Sequence, residues 1–386
     1  MLKTQHSKLN TPFGLYIHVP FCAAKCPYCD FYSGRDTALL PAYVNAVTEE
    51  LHTLRRAKGF ADETLFSRPL GSVYFGGGTP SLLPAEALAE ILHTVKSRYA
   101  LSPDAEFTAE VNPTLKEPEA WFASAAEAGV NRVSVGMQSA LDAERKALGR
   151  RGTAADVKQT VFAAKQAGIS NISVDVMLGI PGQTKESLQQ SLDFALSLGI
   201  THLSVYILKI EPGTVFDKRK DSLNLPDEEE TADLYLFTAG YLKAQGMRHY
   251  EISNFCFGGL VGRHNFGYWQ CGEYLGVGPA AHSYLNGRRF YYERDLQGFI
   301  DGIAPVDDGP GGDADEVFML ALRTDEGLDL PAFCTRFGVS PPPRFYEKLK
   351  EYGAMGLAEY KAGRLTLTAR GFLLSNTVIS ELLSVI

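Results

Sequence analysis

Three cysteines at spacings of four and three residues are the first candidates for chemistry in this chain. Cys22, Cys26 and Cys29 lie within eight residues, directly after a predicted β-strand. Thiolates are the soft ligands that iron–sulfur clusters need. Three such ligands can hold three corners of a four-iron cube and leave one iron open, as catalytic zinc sites leave one position open. The spacing therefore predicts a reactive [4Fe–4S] cluster, with an incomplete zinc site or buried cysteines as the alternatives.

Length and composition limit the class of protein. The chain has 386 residues, 45% of them hydrophobic, and a net charge of −8. This length allows one large core and a small second domain. The acidic balance argues against a nucleic-acid partner, because such proteins normally carry a basic stripe. Since the sequence contains neither a membrane-length apolar run nor a signal peptide, we expect a cytoplasmic protein, with peripheral membrane attachment left open.

Short β-branched runs alternate with amphipathic segments through the first half of the chain. The predicted strands cover residues 15–19, 72–75, 106–111, 132–137, 172–177 and 202–208. Helical spacing of apolar residues marks residues 40–54, 85–99, 153–167 and 226–245. Strands that alternate with helices form parallel βαβ units. We therefore predict an α/β fold with a partial (β/α)6 barrel.

The remainder of the chain has a different character. Residues 247–255 are predicted to form one more strand, and a Gly/Pro/Asp-rich linker covers residues 301–315. Beyond it, helical patterns and a hairpin indicate a small winged-helix-like domain. The predicted division is a tail at residues 1–12, a barrel at 13–250, a connecting segment at 251–300 and a C-terminal helical domain at 316–386.

Polar residues fall at or near the ends of the predicted strands. In a parallel barrel, the groups that bind ligands gather at the carboxyl ends of the strands. Three glycines before Thr79 would let backbone N–H groups meet a ligand, although a tight turn is the simpler explanation. Asp175 lies in an apolar strand, where a carboxylate needs a partner or a ligand. The candidate ligand-binding residues at this end of the barrel are Gly78, Thr79, Glu110, Gln138, Arg150 and Asp175.

The cysteine triplet resembles the signature of the radical S-adenosylmethionine (SAM) family. Nearly the whole chain resembles the coproporphyrinogen dehydrogenase-like branch of that family. The resemblance implies that SAM binds the open iron, and that Tyr16 lies beside the cluster. The residues that it implies for cluster support and SAM binding are Tyr16, Gly78, Thr79, Glu110, Gln138, Arg150 and Asp175.

A second motif follows later in the chain, His264-Asn265-Phe-Gly-Tyr268-Trp269. A neutral imidazole is a common protein donor to heme iron, and Tyr and Trp offer flat apolar surface to a porphyrin. An aromatic-lined structural loop is the alternative. The string resembles the hallmark of HemW-type heme chaperones. That resemblance implies a heme site on His264, Asn265, Tyr268 and Trp269, with heme passed to acceptor apo-hemoproteins, among which respiratory-chain enzymes are candidates.

Two functions compete within this branch. The dehydrogenase carries a further cysteine two residues after the third, where this chain has Phe31. We therefore favour a heme chaperone with a [4Fe–4S] cluster and an exchangeable SAM, and expect no coproporphyrinogen oxidase activity. The alternative is an oxygen-independent coproporphyrinogen III dehydrogenase. DNA binding by the C-terminal piece is disfavoured, since its basic residues alternate with glutamates. A homodimer is left open.

Overall fold

Six parallel strands form the centre of the fold in the computed structural model, which describes residues 12–386. They pair in chain order, each with the next. Their bounds are β1 (Phe13–Val19), β2 (Leu70–Gly77), β3 (Leu101–Val111), β4 (Arg132–Gln138), β5 (Asn171–Leu178) and β6 (His202–Ile207). The sheet does not close, because β1 and β6 pair with other strands. The predicted partial (β/α)6 barrel is confirmed, whereas the predicted tail lies almost wholly outside the described residues.

Helices follow the strands and pack on the outside of the sheet. They are α1 (Leu40–Thr53), α2 (Ala85–Arg98), α3 (Pro118–Ala128), α4 (Asp142–Ala147), α5 (Ala154–Gln166), α6 (Lys185–Ser197) and α7 (Glu228–Ala244). Short 3-10 turns lie at Thr37–Leu39, Glu63–Ser67, Pro80–Leu82 and Asp217–Ser222. Capping boxes at Thr153, Thr184 and Asp227 start α5, α6 and α7. Each box satisfies N–H groups that the first helical turn leaves free.

The prediction of a single strand at residues 247–255 is wrong, because the chain reverses its direction within this range. It forms an antiparallel hairpin of β7 (Arg248–Glu251) and β8 (Asn254–Cys256). The buried carboxylate of Glu251 accepts a hydrogen bond from the Ser253 N–H at 3.2 Å and another from the Asn254 side chain. These bonds stabilise a turn that the apolar pattern does not reveal.

The segment predicted as a connection instead extends the main sheet. It contains α8 (Arg263–Trp269), β9 (Tyr274–Val277), β10 (His282–Leu285), β11 (Arg288–Tyr291), α9 (Leu296–Ile300) and β12 (Val306–Pro310). Strand β9 pairs in parallel with β1, and β10 to β12 continue as antiparallel neighbours. The sheet therefore has no boundary at residue 250, and β12 lies inside the predicted linker.

The glycines of this segment explain why its strands were not predicted. A Cβ atom at Gly276 would lie 2.1 Å from the carbonyl oxygen of His282. Glycine therefore allows β9 and β10 to approach closely around a tight turn. A glycine-rich composition, which is typical of a loop, is here compatible with a strand.

The C-terminal part is a small helical unit with a three-stranded sheet in the order β13-β15-β14. Its elements are α10 (Ala314–Ala321), β13 (Leu328–Asp329), α11 (Leu330–Phe337), α12 (Pro343–Ala354), β14 (Ala358–Lys361), β15 (Arg364–Leu367), α13 (Ala369–Leu373) and α14 (Ser375–Leu383). Arg248 of β7 donates two hydrogen bonds to Asp325, at 2.6 and 2.7 Å, and so attaches this unit to the sheet edge. Within residues 12–386, no helix is long and apolar enough to cross a membrane.

A buried carboxylate joins α1 to the extended edge of the sheet. Glu50 is fully buried and accepts hydrogen bonds from the N–H groups of Arg56 and Ala57, at 2.8 and 2.9 Å. The hydroxyl of Tyr292, next to β11, donates a further bond at 3.2 Å. Removing Glu50 would leave three buried donors, the N–H groups of Arg56 and Ala57 and the Tyr292 hydroxyl, without this acceptor, and would take one of two carboxylates from the buried Arg56 guanidinium.

We predict that Glu50→Ala lowers the free energy of unfolding by about 3–5 kcal/mol. Glu49→Ala is the matched control, because the Glu49 side chain is 42% exposed and pairs with Arg55 and Arg56 from the surface. That control should cost less than about 1 kcal/mol. Chemical denaturation measures both values. Equal losses in the two variants would contradict the role given to Glu50.

Candidate functional site

The loop after β1 carries the three cysteines into a cavity of about 660 Å³ inside the barrel. Cys22, Cys26 and Cys29 are free thiols, each half-buried, and all three line this cavity. The Cys22 N–H donates to the Gly34 carbonyl at 2.9 Å, and the Cys29 N–H donates to the Cys26 carbonyl at 3.1 Å. These backbone bonds turn the loop back on itself, so that three thiols approach one space.

The thiol arrangement fits a cluster better than a single metal ion. In the part of the chain that the structure describes, no three His, Cys, Asp or Glu side chains converge tightly enough for one ion. A zinc ion needs its sulfur ligands at about 2.3 Å from one point, whereas a cluster binds each thiolate through a different iron. His18 offers no further ligand, because its two nitrogens bond the Tyr16 hydroxyl and the Tyr32 carbonyl, at 3.1 and 2.9 Å.

The end of β2 holds the cysteine loop in place. The N–H groups of Gly78 and Thr79 donate to the carbonyls of Val19 and Phe21, both at 2.8 Å. The Thr79 hydroxyl then lies 3.4 Å from the Cys22 sulfur. Of the three glycines predicted to offer N–H groups to a ligand, Gly78 is therefore not available, because its N–H bonds the protein itself. Only glycine fits at position 78, where a Cβ atom would lie 2.6 Å from the Phe21 carbonyl oxygen.

Two carboxyl groups face the cavity from β3 and β5. Glu110 accepts a hydrogen bond from the Tyr74 hydroxyl at 2.8 Å. Burial raises the pKa of Glu110 to about 7, although the bond from Tyr74 opposes this shift. Asp175 accepts from the Ser134 hydroxyl at 2.9 Å, and burial also raises the pKa of Asp175. A polar ligand in the cavity would thus meet two acceptors that are only partly satisfied by the protein.

Gln138 and Arg150 complete the mouth of the cavity. Gln138 ends β4 with a φ of 69°, next to a register shift that begins at Gly136. This strained backbone directs the amide to the Tyr206 hydroxyl, which donates to it at 2.7 Å. Arg150 lies just after the turn that ends α4. It donates to the Gly136 carbonyl, and its Nη1 lies 3.9 Å from the Cys26 sulfur.

The sequence prediction missed polar residues deeper in the cavity. The buried Nε of Arg132 has no hydrogen-bond partner among the described residues, and the Glu106 carboxylate lies 3.9 Å away. Tyr206 and Ser204 also line this space. The only signal in the sequence was a charged residue at the start of an apolar strand. An unpaired buried donor is costly, so Arg132 fits a ligand that brings an acceptor.

A second cleft of about 490 Å³ lies beside the cysteine cavity. Tyr16 lies here rather than in the cavity that the cysteines line. Phe31 and Arg294 line both spaces, so the two adjoin. The walls of this cleft are mainly aromatic and include Tyr16, Tyr32, Tyr268, Tyr274, Tyr291 and His282. Its size lies within the usual range for small-molecule pockets, roughly 300–1,000 Å³.

The helix α8, which carries the second motif, packs at the amino end of the barrel. The carboxylate of Glu106 on β3 accepts from the N–H groups of Arg263 and His264, at 3.2 and 3.3 Å. The His264 ring is 3% exposed, and burial lowers the pKa of His264 to about 3, so the imidazole is neutral. Its nitrogens bond the hydroxyls of Ser72 and Tyr268, at 2.8 and 2.7 Å. Iron ligation by His264 would have to replace one of these bonds.

The four predicted heme residues do not face one space. Tyr268 lines the aromatic cleft, and Asn265 lines the cysteine cavity. Trp269 lines neither and instead packs beside Tyr250 and Phe266. Helix α8 therefore contributes one residue to each space, Asn265 to the cysteine cavity and Tyr268 to the aromatic cleft. His264 lines neither space and lies behind Tyr268.

Comparisons with known proteins agree with this architecture. The model of the radical SAM superfamily matches residues 16–195, and that of the HemN C-terminal domain matches residues 313–374. Coproporphyrinogen III oxidase (HemN) from Escherichia coli has the same fold, with a TM-score of 0.81, 21% identity, and coverage of 97% of this chain and 90% of that one. The fold and the site thus define a radical SAM protein with a HemN-type C-terminal domain.

Near-full-length relatives narrow the assignment. The heme chaperone HemW of Mycobacterium tuberculosis is 36% identical, over 96% of this chain and 95% of the relative. The heme chaperone HemW of Bacillus subtilis is 35% identical, over 95% of this chain and 98% of the relative. The chain belongs to the HemW family.

We predict that Gly78→Ala displaces the cysteine loop, because the new methyl group would overlap two carbonyl oxygens. Overpacking of this kind costs about 1–3 kcal/mol. Iron bound per chain after anaerobic reconstitution should fall, while circular dichroism stays native. Gly34→Ala is the control in the same loop, since nothing lies within 4 Å of a Cβ atom there. Full iron loading of Gly78→Ala would show that the contact does not position the thiols.

Proposed function

We propose that this protein is a heme chaperone that carries a [4Fe–4S] cluster and an exchangeable SAM. The proposal depends on one observation: the cysteine cavity and the aromatic cleft share a wall but are lined by different kinds of side chain. One is lined by thiols, carboxyls and arginines, and the other by aromatic rings. Membership in the HemW family supports heme as the molecule that the aromatic cleft takes.

In this proposal the cluster is bound by Cys22, Cys26 and Cys29. When bound, it supplies one-electron chemistry and an open iron for the amino and carboxylate groups of SAM. The side chains around it would hold the rest of SAM. Glu110 and Asp175 offer acceptors, Arg150 and Gln138 border the thiol loop, and Gly78 and Thr79 fix that loop. Tyr16 would lie beside the cluster, on the wall of the adjoining aromatic cleft.

Heme would lie in the aromatic cleft. Flat rings such as Tyr268 suit a porphyrin face, and Arg294 at the shared wall suits the propionate carboxylates. We propose that His264 acts through its bond to Tyr268, while Asn265 and Trp269 fix α8 between the two spaces. The acceptors would be apo-hemoproteins, with respiratory-chain enzymes as candidates, in the cytoplasm or at the membrane surface.

We predict that Cys26→Ala abolishes the brown cluster chromophore, because two thiolates cannot hold the cube in place of three. Cys334→Ala is the matched control, since Cys334 lies on α11 in the C-terminal unit. Iron and sulfide content after anaerobic reconstitution measures both variants. Iron and sulfide that remain bound in Cys26→Ala would refute the cluster assignment.

The chaperone and the dehydrogenase are separated by two assays on the cluster-loaded protein. We expect hemin to bind at one equivalent, with a defined Soret band. Incubation with coproporphyrinogen III, SAM and a reductant should yield no protoporphyrinogen, because Phe31 stands where the dehydrogenase has a cysteine and is 66% exposed. Turnover of coproporphyrinogen without stoichiometric hemin binding would favour the dehydrogenase instead.

A further inference from the structure

His282 is an imidazole of the aromatic cleft whose ring nitrogens make no hydrogen bond within residues 12–386. It is the first residue of β10, and its side chain is exposed to the cleft. Its ring stacks on Tyr291 of β11, its cross-strand partner, with ring centroids 5.1 Å apart and planes at 24°. This contact restricts the orientation of the ring without occupying either nitrogen.

The other two imidazoles near this cleft are already engaged. His18 bonds Tyr16 and Tyr32. His264 bonds Ser72 and Tyr268 and does not line the cleft. Iron ligation by either would break a hydrogen bond of a buried ring, and such bonds are expensive to lose. His282 can bind a metal without that cost.

A guanidinium on the wall of the cleft also suits a heme. Burial lowers the pKa of His282, and the nearby charges act in both directions: the Asp308 carboxylate raises that pKa, while Arg289 and Arg294 lower it. Arg294 lines the cleft at the wall shared with the cysteine cavity, and its pair with Asp30 is largely exposed. A porphyrin whose iron meets His282 could thus place a carboxylate near a guanidinium.

We infer that His282 is the axial ligand of heme iron in this cleft, through one ring nitrogen of its neutral imidazole. The inference rests on the proposed heme-binding function and adds the residue that binds the metal. His264 is then a positioning residue, which holds Tyr268 as part of the cleft wall. The two histidines therefore have different roles, which ligand-field spectra can separate.

The test uses the full-length, cluster-loaded protein and hemin, with optical and low-temperature EPR spectra. His282→Ala should shift the Soret band and the ferric heme EPR signal, and lower hemin affinity about tenfold or more. Added imidazole should restore the wild-type heme spectrum in this variant, because it replaces the lost ligand. His264→Ala should weaken hemin binding while the spectrum of the bound heme stays that of the wild type. His93→Ala, on the exposed face of α2, is the surface control.

The outcomes distinguish this inference from the function on which it rests. If wild type fails to bind hemin stoichiometrically, the proposed function itself is wrong. If wild type binds hemin and His282→Ala gives the same spectrum, the function stands and the ligand assignment is overturned. A spectrum that is lost in His264→Ala and kept in His282→Ala would assign the iron to His264.

Discussion

The site depends on the attachment of the cysteine loop to the end of β2. Two backbone hydrogen bonds, from Gly78 and Thr79 to the carbonyls of Val19 at the end of β1 and Phe21 just after it, hold two chain segments so close that a side chain at position 78 has no room. Because the loop is fixed by backbone, its three thiols do not depend on flexible side-chain contacts for their approach to one cavity. The other cavity residues reach the same space from neighbouring strands whose register is set by the sheet.

The extension of the sheet beyond β1 gives the protein its second space. Strand β9 pairs with β1, and the side chains of Tyr16 and His18 on β1 line the aromatic cleft together with residues of β9 to β11. The buried carboxylate of Glu50 attaches this extension to α1 through Tyr292. The same sheet therefore supplies residues to the aromatic cleft and to the cysteine cavity, and Phe31 and Arg294 line both.

Much of this architecture could be predicted from sequence, and the exceptions have physical reasons. Periodicity located all six parallel strands, and the cysteine spacing located the loop that lines the cavity. The sheet extension was missed because Gly276 and Gly278 are typical of loops, although here they permit close strand contact. Residue types identified His264 but not His282, because hydrogen bonding decides which imidazole is free, and it depends on tertiary neighbours such as Ser72 and Tyr268. Arg132 escaped notice for the same reason.

The proposed function requires that the protein carries heme and gives it to another protein. The most direct measurement is the rate at which heme leaves the cluster-loaded, heme-loaded chain when an apo-hemoprotein is added, followed by the shift of the Soret band to that of the acceptor. We predict a rate that rises with acceptor concentration and exceeds the spontaneous loss of heme to buffer. A rate that equals spontaneous loss at every acceptor concentration would contradict it.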